Sequence, residues 1–480
     1  MHLPLSGLFF IPLTALVVLL RPGRLEEFVV YMAVFQGAAV INVGGSFGFG
    51  ILPFFLAAGL LAARLALEWI NGGIRFRRNE LARTHLQLMG IFVAWCVLSA
   101  FLLPILFEGT PVDSPRAGAE AVFYSALPLK WSFSNAGQAG YIVIDFCVLV
   151  AFSSFSVKYA PQRLIEAYSC SGLIVSLVGF YQMTASHVGL PFPSWFFNSN
   201  VTWAQNYKQL IGAGVHRVSA TFVEPSVAGE FLSGWVLFEL ILANWGTADR
   251  TRHGIFASLG CIVLFATTSS TGYVTLAAAV LFMLGRLVYG VVQQGKIWTR
   301  LAVMISIVMI IAAGFLMLNR DSSLLDAVLW SKARSSSGVV RTATVWRAAA
   351  VLGDTYGLGA GLGSNRAFGA WAYIGSNLGV VGLALFTYLL VQLLRRAISC
   401  CLTLPTRAAR VSLIACTASF ASTVVSAALS GAEITAPGLW IVWAILLGCV
   451  RVAPRKESVA RPLGSDELAL MKRLSNRAAS

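Results

Sequence analysis

The stretch HRVSATFVEPSVAGEFLSGW (216–235) sets His216, Arg217 and Glu224 against the start of an apolar run. Arg217 offers a planar fork of N–H donors that matches a phosphate or carboxylate and stays charged at any working pH. Glu224 directly precedes Pro225, a residue type favoured at the first position of a helix. A carboxylate there gains roughly 0.3–1 kcal/mol from the helix dipole. Glu224 therefore has a structural reason to be where it is, and Arg217 has none. A second group of charges, Arg320, Lys332, Arg334, Arg341, Arg347 and Arg366 against Asp321, Asp326 and Asp354, lies in one polar stretch. An excess of cations of this kind fits an anionic partner.

The elements that must position these residues are apolar. Of 480 residues, 57% are hydrophobic and 11% charged, and the mean hydropathy is +0.77, more than a soluble surface carries. Apolar runs of about 17–25 residues, long enough as helices to cross a hydrocarbon core of about 30 Å, recur along the whole chain. They fall near 3–20, 28–43, 48–70, 88–107, 138–157, 165–184, 225–245, 254–268, 272–289, 301–318, 371–394, 411–430 and 436–451. The pattern predicts an all-α polytopic membrane protein with about thirteen transmembrane helices, a single domain over 1–451 and a basic cytoplasmic tail at 452–480. Continuous apolar runs argue against a β-barrel, whose strands alternate. The first run has neither a basic flank nor an A-x-A cleavage site and reads as a retained helix.

The formal charge of +15, from 35 Lys and Arg against 20 Asp and Glu, would suggest nucleic acid in a soluble protein. Here it follows topology. Basic residues crowd every second connection: Arg21 and Arg24, 75–83, Lys158 and Arg163, Arg250 and Arg252, 296–300, 395–410, and from Arg451 onward. By the positive-inside rule these face the cytoplasm, the N-terminus faces outward and the C-terminus inward. The eight cysteines fall in the expected spans or on the cytoplasmic side, so no disulfides are expected. No CxxC or His/Cys spacing suggests a metal, and no cofactor is expected.

Three connections on the outer side are long: 108–137, 185–224 and 319–370. The last two are expected to carry short interfacial helices. Long ordered loops held on one face by a scaffold are a common way to build a site. Within 319–370, a Ser cap at 335–337 starts an amphipathic helix expected over 338–352, with Val340, Thr344, Ala348, Val351 and Leu352 on one face. Arg341 and Arg347 lie about 120° apart on it and can flank one ligand. Snorkelling to lipid phosphates explains these arginines equally well. The run GLGAGLG (357–363) is not a dinucleotide fingerprint, because no strand precedes it. It is either a flexible loop or, through Gly361 and Gly363, a close backbone approach to a phosphate or sugar. In the 185–224 loop, Trp195, Phe196, Phe197 and Trp203 read as interface anchors or as aromatic platforms for sugar rings, anchoring being the stronger reading for most of them. Asp145, Glu230 and Glu239 are ionisable residues inside expected spans, which marks them as site candidates. Polar packing between helices is the stronger reading for Asp145 and Glu239.

RVSATFVEPSVAGEFL (217–232) resembles the R-x-x-G/S-x-F-x-E/N-P-S/N signature of the O-antigen polymerase and ligase family, the Wzy-like bacterial polysaccharide polymerases. Three further segments resemble the family in the same order: TTSSTGYVTL (267–276) its Ser-Arg-Thr-Gly helix start, 341–364 its R-x-x-x-W followed by G-x-G-x-G-S, and SNLGVVGLALF (376–386) its closing Gly-x-x-Gly helix. The form Glu-Pro-Ser is more like the exopolysaccharide and capsule polymerases. Two departures matter. Ser270 stands where the family has Arg, and the 319–370 loop has no His, whereas the ligase branch places one in its large external loop. His216, in the other loop, does not fill that place.

The resemblance implies a metal-independent, inverting glycosyl transfer at the periplasmic face of a bacterial inner membrane. One polyprenyl-pyrophosphate-linked oligosaccharide would be joined to the hydroxyl of another in exopolysaccharide, capsule or O-antigen biosynthesis. Arg217 and Arg341 would neutralise the leaving pyrophosphate, and Glu224 would assist the hydroxyl. Arg347, Arg366, Gly361, Gly363 and His216 would bind substrate. Partners implied are the lipid-linked repeat unit and the chain-length regulator and export proteins of a polysaccharide assembly system. An O-antigen ligase, or a transporter of lipid-linked glycans, remains as an alternative. A transporter would be expected to gather charges at the bilayer midplane and to show related halves, and no internal repeat is apparent.

Overall fold

A computed structural model describes residues 2–44, 49–71, 80–113, 126–201, 216–246, 248–277, 336–401, 403–430 and 434–452. The described residues are mostly helical, 76%. Seven described helices are long and apolar enough to cross a membrane. These are α3 (Pro53–Ile70), α4 (Glu80–Leu106), α5 (Phe133–Tyr159), α6 (Gln162–Val188), α8 (Pro225–Trp245), α11 (Ala370–Cys401) and α12 (Arg407–Ser430). The shorter α1 (Leu5–Leu20), α9 (Arg250–Ala266) and α13 (Pro437–Val452) also coincide with expected runs. The runs at 272–289 and 301–318 lie largely or wholly outside the described residues, with 270–277 helical.

The run at 28–43 departs from expectation. It contains only the end of α2 (Leu25–Met32), bent 115° from α1, and then irregular chain leading into strand β1 (Ile41–Val43), which pairs with β2 (Phe49–Ile51). The backbone groups that a helix would have satisfied internally are met by other segments. Gly37 N–H donates to Thr221 O at 2.9 Å, Asn200 N–H donates to Gly37 O at 3.1 Å, and Val40 N–H donates to Ile51 O at 2.7 Å. Non-helical backbone at membrane depth is tolerated only when enclosed by protein in this way. The short α7 (Ser194–Phe197) lies over the same region. Phe196 packs on Phe9 and Phe10, and Phe197 stacks on Phe35 and Phe192, so two of the expected anchors are part of an aromatic cluster while Trp195 is exposed. Trp203 lies outside the described residues.

The bundle is held by close helix contacts in which small residues admit large ones. Trp235 of α8 lies where a Cβ on Gly172 of α6 or Gly260 of α9 would collide with it, and its indole N–H donates to Ser169 O at 3.1 Å. In a membrane, where lipid is as apolar as a side chain, packing of this kind and buried hydrogen bonds hold helices together. Trp443 of α13 sits among Trp440, Phe386 and Phe420 and donates to His85 Nε2 of α4 at 3.1 Å. Ion pairs Glu26–Arg64 and Glu27–Arg163 tie α2 to α3 and α6.

Candidate active site

Helix α10 (Ser336–Asp354) lies where the amphipathic helix is expected. Thr344, Ala348 and Val351 of the expected face are buried, and Trp346 on the other side is 73% exposed. The glycine loop after α10 closes onto a break in α11. At Gly379 the backbone leaves the helix (φ 68°, ψ −168°), which frees carbonyls in the turn before it. The loop supplies the missing donors: Ala360 N–H to Ser376 O and Gly361 N–H to Asn377 O, both at 2.8 Å, while Gly357 O accepts from Val380 N–H at 2.9 Å. Trp95 of α4 covers Leu378 O at 2.9 Å. Asn377 completes the junction, accepting from Ser364 and Asn365 N–H through Oδ1 at 3.0 and 2.9 Å and donating to Asn365 O through Nδ2 at 2.8 Å. Asn135, near the start of α5, donates to Leu362 O at 2.8 Å.

Gly361 and Gly363, expected either in a flexible loop or at a close approach to a phosphate or sugar, lie within this junction. Both are buried and left-handed (φ 96° and 79°), and the close approach they permit is to protein. A Cβ on Gly361 would meet Pro104 and Ser99 O at 2.7 Å, and one on Gly363 would meet Gln138 at 3.0 Å. The turn backbone of the loop is bonded to the break in α11.

The anchored segment carries Arg366 into a group of charges. Asp113, at the end of strand β3 (Pro111–Val112), is 2% exposed. It accepts Arg366 N–H through its carbonyl at 2.7 Å and donates its own N–H to Asn365 Oδ1 at 2.9 Å. Its carboxylate lies 3.3 Å from Arg347 of α10. Burial raises the Asp113 carboxyl above its ordinary range, with Arg347 and then Arg366 pulling the other way. Arg366 and Arg341 share one aromatic ring, their guanidinium carbons 5.8 and 5.3 Å from the centroid of Phe368.

Arg341 also feels Glu224 and Arg217. Burial lowers its proton affinity and the charge of Glu224 opposes that. For Arg217 burial acts first in the same direction, Glu224 and Tyr273 oppose it, and Arg341 adds to it. The three charges thus meet in one cluster. The chain reaches this place through segment 217–222. Val218 N–H donates to Ala266 O at 3.1 Å, and Gln182 Oε1 of α6 accepts from Ser219 and Ala220 N–H at 3.0 and 2.8 Å. The Arg217 Nε–H donates to Thr268 Oγ1 at 2.9 Å, in the turn before the helical segment 270–277. Glu224 is the N-cap of α8, yet its carboxylate makes no capping bond to the helix backbone, and its Oε2 accepts from Ser226 Oγ at 3.0 Å.

Arg217, Glu224, Arg341, Arg347 and Arg366 therefore belong to one region, and His216 is exposed beside Arg217. Arg320, Lys332 and Arg334 lie outside the described residues. Glu230 is buried on α8, and Glu239 accepts from Ser169 Oγ at 2.5 Å and pairs with His253 at 2.6 Å, which is interhelical packing. Neither oxygen of Asp145, buried in α5, has a hydrogen-bond partner among the described residues. Asp113, Phe368 and Asn365 join the site without having been singled out in the sequence, while Thr268 and Asn377 lie in the segments 267–276 and 376–386 that carry the resemblance. One of three acids in the shortest of the long loops and an aromatic two residues after Arg366 were the available hints. The sequence matches no known family model, and no curated protein matches it.

Proposed function

We propose that the protein is a polysaccharide polymerase that joins polyprenyl-pyrophosphate-linked oligosaccharide units at the periplasmic face of a bacterial inner membrane. The observation that carries the reading is the meeting of Arg217, Glu224 and Arg341, drawn from separate segments, in one partly buried charge cluster. Together with Arg347, Arg366 and Asp113, the described cluster has four guanidiniums against two carboxylates, an excess of two positive charges. A pyrophosphate diester carries about two negative charges, so the balance suits that ligand. About thirteen spans belong to this reading, with loops 108–137, 185–224 and 319–370 and the N-terminus periplasmic and the tail 452–480 cytoplasmic.

In the proposed reaction the acceptor hydroxyl oxygen attacks the anomeric carbon of the donor sugar as the bond to pyrophosphate breaks, with inversion. The hydroxyl proton passes to Glu224, and the lipid pyrophosphate departs with its charge held by Arg217 and Arg341. Preorganised donors aimed at developing charge need no bound metal, and removing one typically costs about 10²–10³ in turnover. Chain-length regulator and export proteins are the partners this reading assigns. Purified protein incubated with a lipid-linked repeat unit should yield a ladder of longer products on a gel. Single units left unchanged by active, folded protein would sink the proposal.

A further inference from the structure

Asp113 lies in the one long loop to which the proposed chemistry assigns no catalytic residue, yet it is bonded into the charge cluster through both its backbone and its carboxylate. Its peptide group bonds on both sides, to Arg366 N–H and to Asn365 Oδ1, and its buried carboxylate faces Arg347. Asn365 in turn donates to Ser376 Oγ at 2.9 Å, beside the break in α11. One residue thus joins the 108–113 segment, helix α10 and the glycine loop. A carboxylate in a site for a polyanion opposes binding by Coulomb repulsion, so its presence calls for a different reason. The geometry supplies one. Arg347 has a side chain 34% exposed, and the buried Asp113 carboxylate pairs with it at 3.3 Å.

We propose that Asp113 is a positioning residue: it holds Arg347 by its carboxylate and Arg366 by its backbone, so that both guanidiniums face the same ligand as Arg341. The assignment rests on the polymerase reading above. It makes a prediction opposite to that for a simple binding residue. Loss of the charge should leave affinity for the anion intact or tighter while turnover falls, because a misplacement of about 1 Å can cost on the order of 10²-fold in rate.

The test uses the full-length purified protein, with inorganic pyrophosphate as the binding probe and extension of a lipid-linked repeat unit as the turnover assay. Asp113→Asn keeps the shape and both backbone bonds. Burial raises the carboxyl of Asp113, so its ionisation works against folding at neutral pH, and the variant should melt no lower than the wild type at pH 7. We expect turnover to fall about tenfold or more, pyrophosphate to bind at least as tightly, and Asp113→Glu to recover part of the rate. In an Arg347→Ala background the same substitution should add less than about a twofold loss, since residues acting through one another are not additive. Wild-type turnover in Asp113→Asn, a multiplicative loss in the double variant, or loss of pyrophosphate binding in parallel with turnover would each overturn the assignment. A wild-type protein that neither binds pyrophosphate nor extends the lipid-linked unit would instead remove the reading beneath it.

Discussion

Two guanidiniums on one phenyl ring, as Arg341 and Arg366 are on Phe368, form a fixed pair of forks. Each contact contributes about 0.5–2 kcal/mol depending on desolvation. A lysine in place of Arg217 or Arg341 would keep the charge but lose the fork, and at Arg341 also the stacking on Phe368. Arg217→Lys and Arg341→Lys cells should therefore make polymer at roughly a hundredth of the wild-type level or less, with the protein present in the membrane in normal amount. Wild-type chain length in either variant would refute the role. At this scale the arginines were legible, because an Arg against an apolar run has no ordinary explanation and Arg217 stands out by that test. Phe368 and Asp113 were not, because a ring or one acid among several acquires its role only when distant chain is brought against it. Gly361 and Gly363 show the intermediate case. Glycine signals close approach correctly, but pattern alone does not say whether the neighbour is a ligand or, as here, Pro104 and Gln138.

The junction of the glycine loop with the broken α11 is the element on which the site's walls depend. Gly359 and Gly379 face each other with left-handed backbones (φ 85° and 68°), so close that a Cβ on Gly359 would lie 2.6 Å from Gly379 N and 2.7 Å from Asn377 O. Those neighbours are backbone and have little room to yield. Gly359→Ala should cost roughly 1–3 kcal/mol from the backbone conformation alone and lower the unfolding midpoint of the purified protein. Gly140→Ala on α5, where the added carbon meets nothing within 4 Å, is the control and should melt at or above the wild type. Equal midpoints for the two variants would show that the junction contributes little. Spans were legible in the sequence wherever apolar length was the deciding quantity: α3, α5, α6, α8, α11 and α12 fall on the expected runs. Length misled at 28–43, because an enclosed irregular segment is as apolar as a helix. Gln36, Gly37 and Asn42 interrupt the run there, and the carbonyl and amide partners that replace the helix's own bonds come from 199–222 and 51, out of view of local pattern.

Across the whole molecule the described charge cluster gathers around the start of α8, α10 and the segment after the glycine loop, and of the three acids inside spans Glu239 is paired between helices and Glu230 is buried on α8. Asp145 is the exception. A buried acid with no hydrogen-bond partner among the described residues is what a transporter of lipid-linked glycans would use, whereas a polymerase needs its charges where the units are joined. The two readings differ in where lipid-linked units stop when the cluster is damaged. A polymerase acts on units that have already crossed, so losing it leaves single units in the outer leaflet. A transporter defect strands them in the inner leaflet. Arg341 lies on α10 with its guanidinium in the Glu224 cluster and far in sequence from Asp145, so its loss should stop bond formation and leave passage untouched. Arg341→Ala cells should expose single lipid-linked units to a lectin or glycan-modifying enzyme added outside the inner membrane. Asp145→Asn cells, with a neutral side chain of the same shape, should polymerise normally. Units reached in Arg341→Ala cells only after the membrane is opened would favour the transporter, since the cluster would then be needed before any glycosidic bond is made.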